Sequence, residues 1–520
     1  MTDNPIAAAI APGYEFAGSA LELGGLMLDE QTLSDVHIKI PLGMLNRHGL
    51  VAGATGTGKT KTLQLLAEQL STNGVPVFAA DIKGDLSGMS TPGTEDDKIK
   101  ARASSVGQAW AAKGFPVTYY ALGGQGTGIP LRVTMTAFGP ILLSKVLGLN
   151  QTQESSLGLV FHYADQAGLP LLDLEDLRSV VHYLNSDEGK PDLKELGGLS
   201  SATAGVILRE LIALENQGAD VFFGEPEFES SDLLQVGSDG RGTVSMLELP
   251  DLQDRPALFS TFLMWLLADL FHDLPEVGDV DKPKLVFFFD EAHLLFNDAS
   301  KAFLDQIAQT VRLIRSKGVG VFFVTQSPTD VPDDVLGQLG SRIQHQLRAA
   351  TPNDAKALKL TVNTYPKSAY ADLGDVITSL GIGEAVVTVM NERGAPTPVA
   401  WTRLRAPESL MAPADPAAMT AMVNGSALEA KYAEAVDRES AREKLAAKLD
   451  AGAAAAKQEQ QQPPQDHVTY PKAPAKKKAA TKGGAESAVS DILKSPMARD
   501  LARTAAREIF RGVFGTGRRR

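Results

Sequence analysis

The chain has no cysteine at any of its 520 positions. That excludes disulfides, thiol catalysis and Cys-ligated zinc, and fits a reducing, cytoplasmic setting. It also lacks a long apolar run. The longest lies near Ala257–Ala268, closed by Arg255 and Asp269. A membrane span needs about 20 apolar residues, so this run reads as a buried helix and no membrane partner is expected. The first residues, Met1-Thr-Asp-Asn-Pro-Ile-Ala7, carry no basic stretch before an apolar core, so no signal peptide is read. Internal repeats are missing too. What is present is a 43% apolar composition, enough for a sizeable core. The net charge of −13 is uneven: residues 471–520 hold 13 Lys/Arg against 4 Asp/Glu, leaving an acidic body of −22 before a +9 tail. An acidic body argues against nucleic-acid contacts all over the surface, and leaves room for a ring or cleft with local basic loops.

From His48 onward short β-rich runs alternate with helical segments. His48–Gly53, Val75–Ala80, Pro116–Ala121, Thr243–Leu249, Leu285–Phe289, Val319–Thr325 and Ile343–Arg348 read as strands, with late ones at Val386–Met390 and Thr397–Trp401. Lys59–Thr72 and Glu95–Lys113 read as helices. This rhythm predicts an α/β fold with a mainly parallel sheet covered on both faces. Between about 139 and 217 the strand signals stop, and Gln151–Gln166, Leu174–Asn185 and Thr203–Gln217 fit a helical period, predicting an all-helical insertion. The expected divisions are a short N-terminal cap (1–45), the main domain (46–405), a helical then solvated linker (406–485, with a helix over Ser426–Leu449), and a basic amphipathic C-terminal helix (486–520).

The chemistry concentrates in Gly53-Ala54-Thr55-Gly56-Thr57-Gly58-Lys59-Thr60, a complete phosphate-binding loop between a strand and a helix. The glycines let the backbone curl so that its N–H groups face phosphate oxygens. Lys59 is placed to reach the β- and γ-phosphates, Thr60 to ligate Mg²⁺, and the helix N-terminus adds its dipole. Hydrolysis of ATP also needs an acidic group on the metal and one on water. Leu285-Val-Phe-Phe-Phe-Asp290-Glu291 supplies both: Asp290 for Mg²⁺, Glu291 to polarise the attacking water. Gln326, ending the strand Val321–Thr325, is placed to sense the γ-phosphate. Arg312, Arg315, Arg342 and Arg348 are candidates for compensating charge, with Arg315 and Arg342 preferred because both flank core strands.

Two short matches mislead. Leu122-Gly-Gly-Gln-Gly126 is like the signature loop of ABC ATPases but lies far upstream of the acidic strand, and is read as a glycine turn. Asp290-Glu-Ala-His293 spells the box of DEAH helicases. In those enzymes the box follows the loop by roughly a hundred residues and a second lobe carries an arginine-rich motif; neither holds here. His293 reads as a packing or hydrogen-bonding group beside the site.

Four segments in order, Gly49–Thr60, Phe78-Ala-Ala-Asp-Ile-Lys-Gly-Asp85, Phe289-Asp-Glu-Ala-His-Leu-Leu295 and Arg315–Ser327, resemble the HerA-like branch of the HerA/FtsK ATPases, and more closely its bacterial members of uncharacterised role. The resemblance spans about residues 15–405 and extends to the Arg-rich tail. It implies a RecA-like core, a homohexameric ring and ATP-driven movement on DNA, with a nuclease or other protein as a further partner. It also implies that Arg315 and Gln326 match the family's Arg-x-x-Gly arginine and sensor glutamine, and that Arg342 falls near its trans arginine finger. Two features depart: only some 47 residues precede the loop strand, and the family's Thr-Gln-Arg-Pro reads Thr325-Gln-Ser-Pro328. Both bear on ring loading and DNA contact. The readings to be separated are a ring motor on DNA, a nucleotide-switched scaffold or signalling ATPase, and a DEAH-type helicase.

Overall fold

The computed structural model describes residues 4–28, 30–249, 256–278, 280–297 and 301–460. The basic helix expected at 486–520 and the solvated linker after 460 lie outside the described residues. Among the described residues twelve strands form one sheet: β1 (Ala20–Leu28), β2 (Gln31–Pro41), β3 (Gly49–Ala52), β4 (Val77–Asp81), β5 (Val117–Leu122), β6 (Ile129–Leu131), β7 (Val244–Glu248), β8 (Leu285–Phe289), β9 (Val319–Thr325), β10 (Ser341–Gln344), β11 (Glu384–Thr388) and β12 (Ala400–Leu404). Their order is β2-β1-β12-β11-β10-β3-β9-β8-β4-β7-β5-β6.

From β10 to β6 every pairing is parallel. The strands at its centre have no polar alternation: β3, β4, β8 and β9 are buried at every position, as strands covered on both faces must be. Phenylalanines tie neighbours together, Phe288 on Phe322 at 5.4 Å and Phe289 on Phe323 at 5.7 Å between ring centres. The helix Lys59–Thr72 packs on β1, β3, β4 and β9.

The other flank is antiparallel, from β10 through β11, β12 and β1 to β2. The segment read as an N-terminal cap therefore supplies β1 and β2 to the main sheet. Gly24 is required at that seam, because a Cβ there would lie 1.9 Å from the Arg403 carbonyl oxygen. The DEAH reading needs a second lobe, and the described residues form this single sheet.

Between β6 and β7 come the helices Met135–Val146, Gln151–Gln166, Leu174–Asn185, Lys190–Leu196 and Ser201–Asn216, the expected helical insertion. Reciprocal caps start two of them, Asn150 with Gln153 and Asp173 with Asp176. The long apolar run becomes the helix Pro256–Asp273. Among the described residues no helix is long and apolar enough to cross a membrane. Leu122–Gly126 is a glycine turn between β5 and β6, with Gly123, Gly124 and Gly126 at positive φ.

Several expected elements are displaced. The helix read over Glu95–Lys113 is only Asp97–Ser105. Past it, Gln108 exchanges two hydrogen bonds with the Ala406 backbone and Trp110 Nε1 donates to the Pro407 carbonyl at 2.7 Å, uses a continuing helix would forbid. The helix read over Ser426–Leu449 is broken into Ala427–Tyr432 and Ala441–Gln460. Its halves are anchored apart: Tyr432 is buried and donates to Asp232 at 2.5 Å, whereas the Ala441 amide donates to Pro170 and Lys448 reaches Asp192 on the helical insertion. β10 ends at Gln344 rather than Arg348, because the chain then bends around the phosphate loop, with Gln346 accepting from the Ala54 amide at 2.8 Å. β6, three residues with a central proline, gave no sequence signal.

Candidate functional site

The loop Gly53–Thr60 leaves β3 at the carboxyl edge of the parallel strands, where open α/β sheets bind ligands. Gly53, Gly56 and Gly58 all have positive φ, at 156°, 83° and 112°. Nothing lies within 4 Å of where a Gly56 Cβ would be, so that position faces open space. Backbone bonds to three other segments anchor the loop: the Gly53 amide donates to the Thr325 carbonyl at 3.2 Å, the Ala54 amide to the Gln346 carbonyl at 2.8 Å, and the Thr57 carbonyl accepts from the Gly383 amide at 3.0 Å. Thr57 is buried and closes the loop on itself, its hydroxyl donating to the Ala54 carbonyl at 2.7 Å. Thr55 is exposed and Thr60 half-buried in the first turn of the following helix.

Lys59 is buried and its Nζ donates to the carbonyls of Gly53 at 2.7 Å and Ala54 at 3.2 Å. Burial pulls its ammonium below the ordinary value, with the charges of Glu291 and Asp290 pulling the other way. Behind the loop His345 is wholly buried, 2.9 Å from the Thr62 hydroxyl through Nε2. Burial, helped by the Lys59 charge, drives it down to about 3, so this imidazole is neutral.

Asp290 and Glu291 follow β8, two strands away. Asp290 is 2% exposed. Its Oδ1 accepts from the Glu291 amide at 2.9 Å, while Oδ2 has no hydrogen-bond partner among the described residues. Burial first, and the Glu291 charge second, push its carboxyl up to about 7. A buried carboxylate with an orphaned oxygen suits a divalent cation, so Asp290, with the Thr60 hydroxyl at the helix start, fits the demand of a bound Mg²⁺.

Glu291 takes a left-handed backbone conformation, φ 48°, uncommon away from glycine. Its Oε1 pairs with Lys83 Nζ. His293 Nδ1 comes within 3.3 Å of Oε2 without hydrogen-bond geometry. Burial alone would raise Glu291, yet the Lys83 hydrogen bond and charge hold it below the ordinary carboxylate value. Lys83 responds in kind: burial would lower it, and Glu291 outweighs that and raises it.

Lys83 had no role assigned from sequence. It sits in Asp81-Ile-Lys-Gly-Asp85, where the buried Asp81 side chain accepts the amides of Lys83, Gly84 and Leu86 and so shapes the turn that aims Lys83 at Glu291. A strand ending in an acid followed by Lys-Gly was the available signal. Beside it Glu248, ending β7, is pushed up to about 8 by burial and then by Asp81 and Asp85.

Gln326 is exposed at the end of β9. β9 lies between β3 and β8, with Thr325 opposite Ala52 and Phe323 opposite Phe289, so Gln326 stands between the phosphate loop and the two acids. Asp330 fixes the turn, accepting from the Thr325 hydroxyl at 2.7 Å and the Ser327 amide at 2.8 Å.

The arginines are not gathered there. Arg315 is exposed in a turn before β9, at the opposite end of a seven-residue strand, about 20 Å from Gln326. Arg342 lies early in β10, donating to the Thr364 carbonyl at 3.0 Å and standing over the Tyr365 ring. Arg312 and Arg348 are both exposed.

Comparison with known proteins adds the context. DNA double-strand break repair helicase HerA of Sulfolobus acidocaldarius is 21% identical over 379 residues, 72% of this chain and 68% of that protein. Its counterpart in Saccharolobus solfataricus is 20% identical, over 68% of this chain and 64% of the relative. The chain thus spans about two thirds of the length of these relatives. Among solved structures, plasmid coupling protein TrwB in complex with a non-hydrolysable ATP analogue superposes with a TM-score of 0.50 at 16% identity, over 78% of this chain and 98% of that one, a likeness of fold. The family model described as "Helicase HerA-like C-terminal" matches residues 27–520. On that match, with its phosphate loop, acidic strand end and parallel sheet in place, the chain belongs to the HerA-like C-terminal family.

Proposed function

We propose that the chain is a Mg²⁺-dependent ATPase that works as a homo-oligomeric, hexameric ring and moves on DNA. One observation carries the ATPase reading: β3, β9 and β8 stand side by side and deliver Gly53–Thr60, Gln326 and Asp290–Glu291 to one edge of the sheet. Phosphoryl transfer needs little covalent chemistry from the protein and much positioning, which such an edge provides.

On this reading Lys59 exchanges its two loop carbonyls for phosphate oxygens, which the loop amides also bind. Bound Mg²⁺ would neutralise phosphate charge, held by Thr60 and Asp290. Glu291 accepts the proton of the attacking water, and Gln326 hydrogen-bonds the γ-phosphate or that water. Arg315 and Arg342 stand away from their own chain's loop, so a role in charge compensation is assigned to them across a subunit boundary.

The DNA reading rests on membership of a family whose curated relatives carry the name of DNA repair helicase. It is tested by ATP turnover with and without duplex DNA across a salt series. Stimulation should be greatest at low salt, where phosphate contacts are strongest. Equal turnover with and without DNA at low salt would exclude the motor. A protein that stays monomeric with ATP would exclude the ring. Capture of a nuclease or another protein from the same cells would identify the further partner.

A further inference from the structure

Among the described residues, the most exposed large hydrophobic side chain is Ile382, at 75%. It lies in Leu380-Gly381-Ile382-Gly383, between the helix Leu373–Ser379 and β11. An exposed isoleucine on a loose surface loop would need no explanation. This loop is pinned on every side. The Gly383 amide donates to the Thr57 carbonyl of the phosphate loop at 3.0 Å. Arg102 donates to the carbonyls of Ile382 at 2.8 Å, Gly383 at 3.0 Å and Leu404 at 3.2 Å. Its guanidinium lies flat against Gly383, whose φ of 73° and lack of Cβ permit the approach. The Gly381 amide donates to Glu384 at 3.0 Å, a carboxylate also held by Trp401 Nε1 and Arg403.

These bonds fix the backbone that carries Ile382, so a ligand meeting this apolar face need not order the loop first. Its position says which part of the ligand. A nucleotide whose triphosphate lies in Gly53–Thr60 must project its ribose and base past the loop's rim. Gly383 packs on that rim, its amide nitrogen 3.3 Å from where a Gly58 Cβ would be.

We propose that Ile382, on the strip Gly381–Gly383 held by Arg102, is the platform for the base of the bound nucleotide. This rests on the ATPase reading above and adds to it the seat of the base. An aliphatic face reads a base's flat apolar surface and not its donor–acceptor edge. Adenine and guanine nucleotides are therefore held alike at this contact.

The test is calorimetric titration of the full-length protein with Mg–ATP, Mg–GTP and inorganic tripolyphosphate, on wild type, Ile382→Ser and Ile382→Leu. Being exposed, Ile382 can be changed without disturbing the core. Ile382→Ser should weaken ATP and GTP by a similar factor of about five to ten, the worth of one apolar contact face, and leave tripolyphosphate unchanged. Ile382→Leu should stay near wild type. Equal weakening of ATP and tripolyphosphate, unaltered ATP affinity, or a loss that follows a changed oligomeric state would overturn the platform. Wild type binding tripolyphosphate as tightly as ATP would overturn it too. Wild type binding neither would instead remove the ATPase reading on which it rests.

Discussion

Two side chains of the site are held by partners they would have to release. Lys59 donates to its own loop's carbonyls, and Glu291 is paired with Lys83. Removing the Lys59 charge, as Lys59→Ala does, should reduce nucleotide binding below detection in a fluorescent-analogue titration. Glu291→Gln should bind ATP normally and hold it unhydrolysed, with turnover lowered at least about a hundredfold, within the range for loss of a general base. Normal turnover by that variant would remove Glu291 from the chemistry. Lys83 acts through Glu291, so its signature is a pH profile. Lys83 keeps the Glu291 carboxyl below its ordinary value. In Lys83→Met that support is gone, and the acid limb of kcat should move to higher pH. Lys83→Arg should restore it. An acid limb that does not move in the Met variant would leave Lys83 a structural cation.

At the scale of elements, the site depends on how closely β3 meets β9. A Cβ on Gly49 would lie 2.2 Å from the Phe322 ring, inside a sheet with no room on either face. Gly49→Ala should destabilise the protein by roughly 1–3 kcal/mol, the usual cost of overpacking, seen as a lower midpoint in urea. It should also weaken ATP binding, since the loop hangs from that strand. The elements nearest the site were the most legible in advance. Lys59–Thr72, Leu285–Phe289 and Val319–Thr325 carry unbroken apolar runs or a periodic apolar face, and the structure has them at those residues. Legibility failed where a segment's partner is remote in sequence. The helix ending at Ser105 and the break after Tyr432 are set by contacts with Ala406, with Asp232 and with the helical insertion, which no local window contains. The pairing of Lys83 with Glu291 spans 208 residues and was hidden for the same reason, although both strand ends were recognised.

For the molecule as a whole, one edge of the sheet collects acids. Asp81 is pushed up to about 6, Asp290 to about 7 and Glu248 to about 8, each chiefly by burial. A carboxyl whose folded pKa is raised favours folding below its unfolded value and loses that contribution as pH climbs through the folded one. For Glu248 the window runs from about 4.5 to about 8. The nucleotide-free protein should therefore melt lower at pH 8 than at pH 5. Glu248→Gln, which cannot ionise, should raise Tm at pH 8 and converge with wild type near pH 4.5. A constant difference across that range would place the effect elsewhere. The ring reading makes its own demand. If Arg342 serves a neighbour's nucleotide, mixing Arg342→Ala with Lys59→Ala subunits should recover part of the ATPase activity that each lacks alone. No recovery in rings shown to be mixed would leave Arg342 to its Thr364 and Tyr365 contacts.

The bonds that hold the phosphate loop have a consequence in time as well as in space. Gly53 is tied to Thr325 and Ala54 to Gln346, partners made more than 270 residues later. β1, near the start of the chain, waits still longer for β12. A ribosome that stalls halfway therefore releases a chain with the whole Gly53–Thr60 sequence and no nucleotide site. Nucleotide binding becomes a sign that synthesis has passed the far side of the sheet.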